Sequence, residues 1–198
     1  AIAIEQKVVS RNPRSTVGTS TEIYEYLRLL FARIGKTYSP VSGQLVKKDS
    51  PEDIVHCMLS YPKGTRYTVL TPILPREGRT VAEQIDMDMK QGFTRLEVNG
   101  EMIRIEEYTY QPDDQIYLLV DRMSCDDTKD AVSRLTDSAE TAMYEGDGAC
   151  LLRFYLPDGQ TQLHRFSTKF EADGITFEEP SDQMFSFNSP IGACPTCE

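Results

Sequence analysis

Apolar residues recur along this chain in two rhythms, one near 3.6 residues and one of 2, and each predicts an element. The opening run Ala1 to Ile4 reads as a buried strand, followed by a polar, basic link from Gln6 to Gly18. Ile23, Leu27, Leu30 and Ile34 then fall at helical spacing and predict one apolar stripe. Thr19 and Glu22 stand ahead of it at the spacing of a capping box, in which each side chain satisfies a free backbone N–H. Arg28 and Arg33 lie toward the negative end of that helix, and Gly35 reads as a left-handed stop. The next stretch, KTYSPVSGQLVKK, is broken by Pro40 and Gly43 and reads as a loop or tight hairpin.

The middle of the chain mixes both rhythms. Ser50-Pro51-Glu52-Asp53 is a helix start, and Ile54, Val55, Met58 and Leu59 give it a short apolar face ending before Pro62. Arg66 to Ile73 is rich in β-branched residues and reads as a strand. Thr80 and Glu83 form a second capping box, opening a helix that Gly92 ends. Phe93 to Val98 and Glu101 to Glu106 flank Asn99-Gly100, whose two positive φ values suit a type I′ hairpin turn. Gln115 to Met123 is a further strand, and Lys129 to Tyr144 a helix with Val132, Leu135, Ala139 and Met143 inward. Gly148 to Leu156 and Gln160 to Phe166, joined at Asp158-Gly159, predict a second hairpin. The fold class expected is α+β, over roughly residues 49–167.

Charge sharpens this outline. The chain has 198 residues and a net charge of −10. Residues 1–36 carry six Lys/Arg against three Asp/Glu, and the remainder carries fifteen against twenty-eight. An acidic body of that kind repels a phosphate backbone unless a local basic patch overrides it, so a protein partner is favoured over DNA. Five cysteines, an odd number, favour a reducing cytosol over a disulfide framework. No apolar run approaches the ~20 residues that span a bilayer, so no membrane partner is expected. The chain begins at Ala1 and stops one residue after a CxxC, and so reads as a piece of a longer protein.

Catalytic signals are sparse. There is neither a GxxxxGK[ST] nor a GxGxxG sequence to cradle phosphates, and His56 and His164 stand apart in the pattern. The pairs Asp113-Asp114 and Asp126-Asp127 fall in loops, where solvated charge is expected rather than a dyad with split pKa values. No enzymatic role is expected for this stretch. Lys7, Arg11 and Arg14 cluster in the basic link, either as phosphate contacts or as a solvated linker. Cys194 and Cys197 form a CPTC knuckle, half of a tetrahedral zinc site. Judged as residues alone, Arg95 and Arg122 are strand arginines that read as surface ion pairs or as partner-binding hot spots.

The wording of several segments adds a resemblance. EQKVVSRNPRSTVGTSTEIYEYLRLLFARIG resembles the segment after the Q-loop in the first ATP-binding half of the UvrA family, the damage-sensing subunits of bacterial UvrABC excinucleases. FSFNSPIGACPTCE is similar to that family's approach to a zinc module. GFTRLEVNGE, the strand ending VDRM, and RLTDSAETAMYEGDG resemble its inserted UvrB-binding domain. The resemblance implies three parts: an ATPase-domain piece at 1–48, a UvrB-binding domain at 49–167, and the start of an insertion domain at 168–198. By it, Gln6 is a Q-loop glutamine of an incomplete nucleotide site. Arg95 and Arg122 fall where relatives contact UvrB, and Asp121 orients the Arg122 guanidinium or takes part itself.

Departures from the family pattern matter too. Ser39 and Ser42 stand where the family has the thiols of CPxCG, and serine does not replace a thiolate on zinc. The upstream CxxC that completes the second zinc site is replaced by Phe170-Glu171-Ala172-Asp173-Gly174. No cofactor is therefore expected in this stretch, whereas ATP with Mg²⁺ and zinc are implied for a whole family member. The same resemblance implies a cytoplasmic, homodimeric parent that meets damaged DNA and loads UvrB in nucleotide excision repair. Alternatives are a DNA-binding module, or a divergent relative that has lost zinc and UvrB binding.

Overall fold

The computed structural model describes residues 16–76, 78–186 and 189–192. The chain divides into two compact units, one made of residues up to Val46 together with those from Phe177 onward, the other of Lys47–Thr176.

In the first unit the predicted helix is present but starts differently. A short turn of helix, α1 (Val17–Ser20), precedes α2 (Ile23–Ile34). Between them Glu22 takes a left-handed conformation, φ 63°, and no side chain caps α2. The cap position differs from the expected Thr19: that residue falls within α1, and Glu22 is itself the cap residue of the second helix. Thr21 bonds back to Val17 O with its hydroxyl at 2.6 Å, closing α1 first. Gly35 also works differently from expectation. Its φ is −59°, and glycine is needed because a Cβ there would lie 2.2 Å from Phe31 O. The apolar stripe of α2 is exposed at Ile23, Leu27, Leu30 and Ile34. Phe31 meets Phe185 with ring centroids 5.8 Å apart, and Arg28 pairs with Glu25 and Asp182. The hairpin expected after Gly35 is a two-stranded ribbon, β1 (Thr37–Tyr38) with β2 (Leu45–Val46).

The second unit is built on one antiparallel sheet. In chain order its elements are α3 (Pro51–Leu59), β3 (Arg66–Pro72), α4 (Val81–Lys90), β4 (Arg95–Val98), β5 (Glu101–Arg104), β6 (Ile116–Ser124), α5 (Lys129–Glu145), β7 (Ala149–Tyr155) and β8 (Thr161–Ser167). A last ribbon joins β9 (Glu171–Ala172) to β10 (Ile175–Thr176). The sheet order is β5-β4-β6-β3-β7-β8, so the long central strands β3 and β6 are flanked by two hairpins. This is an α+β fold.

Local chemistry explains the element starts. Ser50 with Asp53 and Thr80 with Glu83 are reciprocal capping boxes for α3 and α4. Asn99 and Gly100 have φ 52° and 89°, as the β4–β5 turn requires. After β5 the chain turns into a 3-10 segment, Ile105–Glu107, instead of continuing as strand to Glu106. Ile105 is buried there against the cluster under α4. Asp49 closes the unit on itself: its N–H donates to Ser167 O at 2.7 Å, and Ser167 N–H donates to its carboxylate at 3.0 Å.

The sheet has two unlike faces. On one, α3 and α5 cover Tyr67, Val69, Leu152 and Phe154, while Ile85 of α4 covers Leu96, Val98 and Leu118. The opposite face has a small apolar floor of Leu70, Leu119, Leu151 and Tyr117, with Met102 and Leu163 at its margins. Among the described residues of this unit, no helix covers that floor. Side chains of the sheet itself cover it instead.

Candidate protein-docking site

That face carries the arginines. In β4, Leu96 and Val98 point to the α4 cluster, so Arg95 and Glu97 share the other side. Arg104 of β5 is the cross-strand partner of Arg95, and Met102 that of Glu97. In β3, Tyr67 and Val69 join the helix-side core, leaving Arg66, Thr68 and Leu70 on the open side. Thr68 has Arg122 on one flank and Arg153 on the other. Arg66 has Ser124 and Tyr155.

Arg122 reaches this face through a break in register. Leu70 faces Leu119 while Val69 faces Asp121, so Val120 is an extra residue in β6. Val120 and Met123 lie against the helix-side core, and the Asp121 carboxylate bonds α5. Two consecutive residues, 120 and 121, therefore face the helices, and Arg122 turns outward. Strict alternation from Leu119 would instead turn Asp121 outward and Arg122 toward α5.

Two of the arginines are held within the face. Glu97 is fully buried, and its carboxylate takes Arg153 Nε at 2.9 and 3.0 Å and Arg153 Nη2 at 2.6 Å. A buried carboxylate needs such a partner, because its charge is otherwise left uncompensated in a medium of low dielectric. Arg165 donates to the Tyr117 hydroxyl at 3.0 Å and lies 6.0 Å from that ring's centroid. Gln115 donates to the same hydroxyl at 2.9 Å. These side chains screen the apolar floor.

The other four are different. Arg66, Arg104 and Arg122 are exposed and Arg95 half-buried. None of the four pairs with a carboxylate among the described residues. Arg66, Arg122, Met102 and Tyr155 line a depression of about 680 Å³ that also includes Arg134. An acidic unit thus presents unpaired guanidinium groups beside an aromatic ring and a methionine. Bidentate pairing with carboxylates is the chemistry this arrangement supports.

The expectation that Asp121 orients the Arg122 guanidinium is corrected. Its carboxylate faces α5, where Arg134 donates from Nε at 2.8 Å and Nη2 at 2.6 Å and Ser138 Oγ donates at 3.0 Å. Only the backbone N–H of Arg122 reaches it, at 2.7 Å. Burial opposes the charge of Asp121, but these donors outweigh it and hold its carboxyl below the usual value. Arg104, Arg66 and the Glu97–Arg153 pair were missed in the sequence. Alternation within β4 and β5 could have found Arg104, whereas the long-range pair leaves no local signal.

Gln6, Cys194, Cys197, Lys7, Arg11 and Arg14 lie outside the described residues. Cys57, Cys125 and Cys150 are free thiols of the second unit, and burial pushes Cys125 up to about 11 and Cys150 up to about 12. At neutral pH both are protonated and poor nucleophiles. His164 is not isolated: its Nε2 lies 2.7 Å from the Tyr61 hydroxyl, and its ring meets Phe154 edge-on. Tyr61 stacks on Phe154 at 3.8 Å, so this histidine is part of an aromatic cluster.

A helix-backed antiparallel sheet that turns arginines outward, unpaired among the described residues, defines an α+β domain with a candidate docking face. Comparison with known proteins agrees and is more specific. The family model described as the UvrA interaction domain matches residues 49–155. UvrABC system protein A of Streptomyces coelicolor is 42% identical over 205 residues, and that of Bacillus subtilis 39% over 204. The protein of the same name from Rickettsia typhi is 40% identical over 210 residues. Each match covers 100% of this chain and 20–22% of the relative, so the chain spans about a fifth of the length of these curated relatives. The chain belongs to the UvrA family.

Proposed function

We propose that this chain is the partner-docking segment of a damage-recognition subunit in nucleotide excision repair, and that the partner is UvrB. The observation that carries the reading is the set of arginines, unpaired among the described residues, on the sheet face of an acidic unit that its own helices leave open. Arg95 and Arg122 are the central contacts, flanked by Arg66 and Arg104. Carboxylates on the partner complete the guanidinium groups, and opposite potentials steer the encounter. The parent would be a cytoplasmic, homodimeric ABC-type ATPase that meets damaged DNA. Gln6 would belong to its nucleotide site and Cys194 and Cys197 to a zinc half-site. Support for those parts comes from family membership.

Calorimetric titration of this chain with UvrB tests the reading. Wild-type chain is expected to bind, and Arg122→Glu to lose about 2 kcal/mol or more, roughly thirtyfold in Kd. Titration with duplex DNA is the counterpart. Binding of DNA and not of UvrB, with steep salt dependence, would favour a DNA-binding module instead.

A further inference from the structure

Arg122 is useful to a partner only because β6 breaks register before it, and an extra strand residue leaves its own backbone groups outside the regular ladder. The side chains that hold the break reach it from α5, and one of them, Arg134, also borders the depression that Arg66 and Arg122 line. We propose that Arg134, assisted by Ser138, is a positioning residue for docking: by gripping Asp121 it fixes the bulge that turns Arg122 outward. This rests on the reading of the sheet face as a docking surface.

The geometry is specific. Asp121 accepts four donors: Arg134 Nε and Nη2 at 2.8 and 2.6 Å, Ser138 Oγ at 3.0 Å and the N–H of Arg122 at 2.7 Å. One carboxylate thereby ties the backbone of Arg122 to two positions of α5. A fork-shaped guanidinium fixes the direction of a carboxylate as a single ammonium does not. The start of α5 is anchored in turn by Thr128, whose hydroxyl accepts from Ala131 N–H at 3.4 Å.

Arg134 also removes a competitor. If β6 slipped by one residue, Asp121 would turn toward the face that bears Arg95 and Arg104, and Arg122 would turn toward the helices. The carboxylate would then neutralise arginines the partner needs. Pairing Asp121 with Arg134 on the helix side disfavours that register. The Asp121 side chain is 19% exposed and that of Arg134 61% exposed, so losing the arginine leaves the core intact.

Two readouts separate positioning from direct contact. The first is a double-mutant cycle of Arg134→Ala and Arg122→Ala in the full chain, titrated with UvrB. Arg134→Ala is expected to weaken binding about tenfold, while the double variant binds no worse than Arg122→Ala alone. Additive losses would mean that Arg134 touches the partner itself, and no loss from Arg134→Ala would mean the grip is irrelevant; either overturns the proposal. The second is amide hydrogen exchange of Arg122 and Met123 in the free chain. Exchange is expected to quicken in Arg134→Ala and in Ser138→Ala and to be only partly restored in Arg134→Lys, whose ammonium keeps the charge without the fork. Unchanged exchange in both alanine variants would overturn the proposal. If the wild-type chain does not bind UvrB, the docking reading fails, and the exchange experiment still decides whether Arg134 holds the bulge.

Discussion

Asp121 and Asp88 show how one residue type serves opposite ends in the same unit. Asp121 is drawn below its usual pKa by Arg134, the Arg122 N–H and Ser138, against the opposing effect of burial. Asp88 is 2% exposed and is pushed upward, by burial first, although Gln84 Nε2 donates to it at 2.7 Å. For Asp121 the folded value lies below the unfolded one. Its contribution to stability is present above the unfolded value and disappears as pH falls through the folded one. Asp121→Asn is therefore expected to lower Tm at pH 7, with the difference from wild type shrinking on acidification below about 3.9. For Asp88 the sign reverses, since the fold penalises the ionised form. Asp88→Asn, which keeps an acceptor for Gln84, is expected to raise Tm at pH 7 and to lose that gain in acid. Thermal melts of both variants from pH 3 to 7 check the two signs, and a stabilised Asp121→Asn would contradict the assignment. At this scale the sequence was partly legible. Arg95 and Arg122 stood out as strand arginines in an acidic body, whereas Arg134 looked like any polar residue on a helix because its partner lies on another element.

Elements were legible where the signal was local. Capping boxes at Ser50 and Thr80 and the Asn99-Gly100 turn depend on neighbours within three residues, and all three form. Thr19 and Glu22 have the same spacing, yet the chain closes an earlier turn of helix and leaves Glu22 in a left-handed conformation. The Val120 bulge was not legible, because an extra residue in a strand is defined by what lies across from it. Gly146 carries a similar non-local constraint. Its φ of −91° suits any residue, yet a Cβ there would lie 1.9 Å from the Thr71 hydroxyl and 2.6 Å from Ala149 O. That hydroxyl donates to Ala142 O and Ala149 O at 2.8 and 3.0 Å, joining the end of α5 to β3 and β7. Gly146→Ala is expected to cost about 2 kcal/mol through overpacking, read from urea unfolding. A neutral result would mean that the junction gives way more easily than its contacts indicate.

On the scale of the whole chain, charge is sorted by face. The net charge is −10, but one sheet face collects six arginines, with Glu97 and Arg153 paired internally. An interface built on that contrast gains much of its rate from long-range attraction. Raising ionic strength from about 0.05 to 0.5 M is expected to slow association with UvrB far more than dissociation, because the Debye length shrinks well below ~10 Å. Stopped-flow mixing measures both rates, and a salt-independent association rate would count against electrostatic steering. The division of the sheet into a covered and an open face could not be read from charge totals, since it is set by strand order and the bulge.

The most direct test of the docking face is an NMR titration that follows the arginine Nε–H signals of the chain as UvrB is added. Arg66, Arg95, Arg104 and Arg122 are expected to shift or broaden first, with Arg153 remaining on Glu97. Perturbations confined to α3 and α5, with these four signals unmoved by a bound partner, would contradict the sheet face as the docking surface.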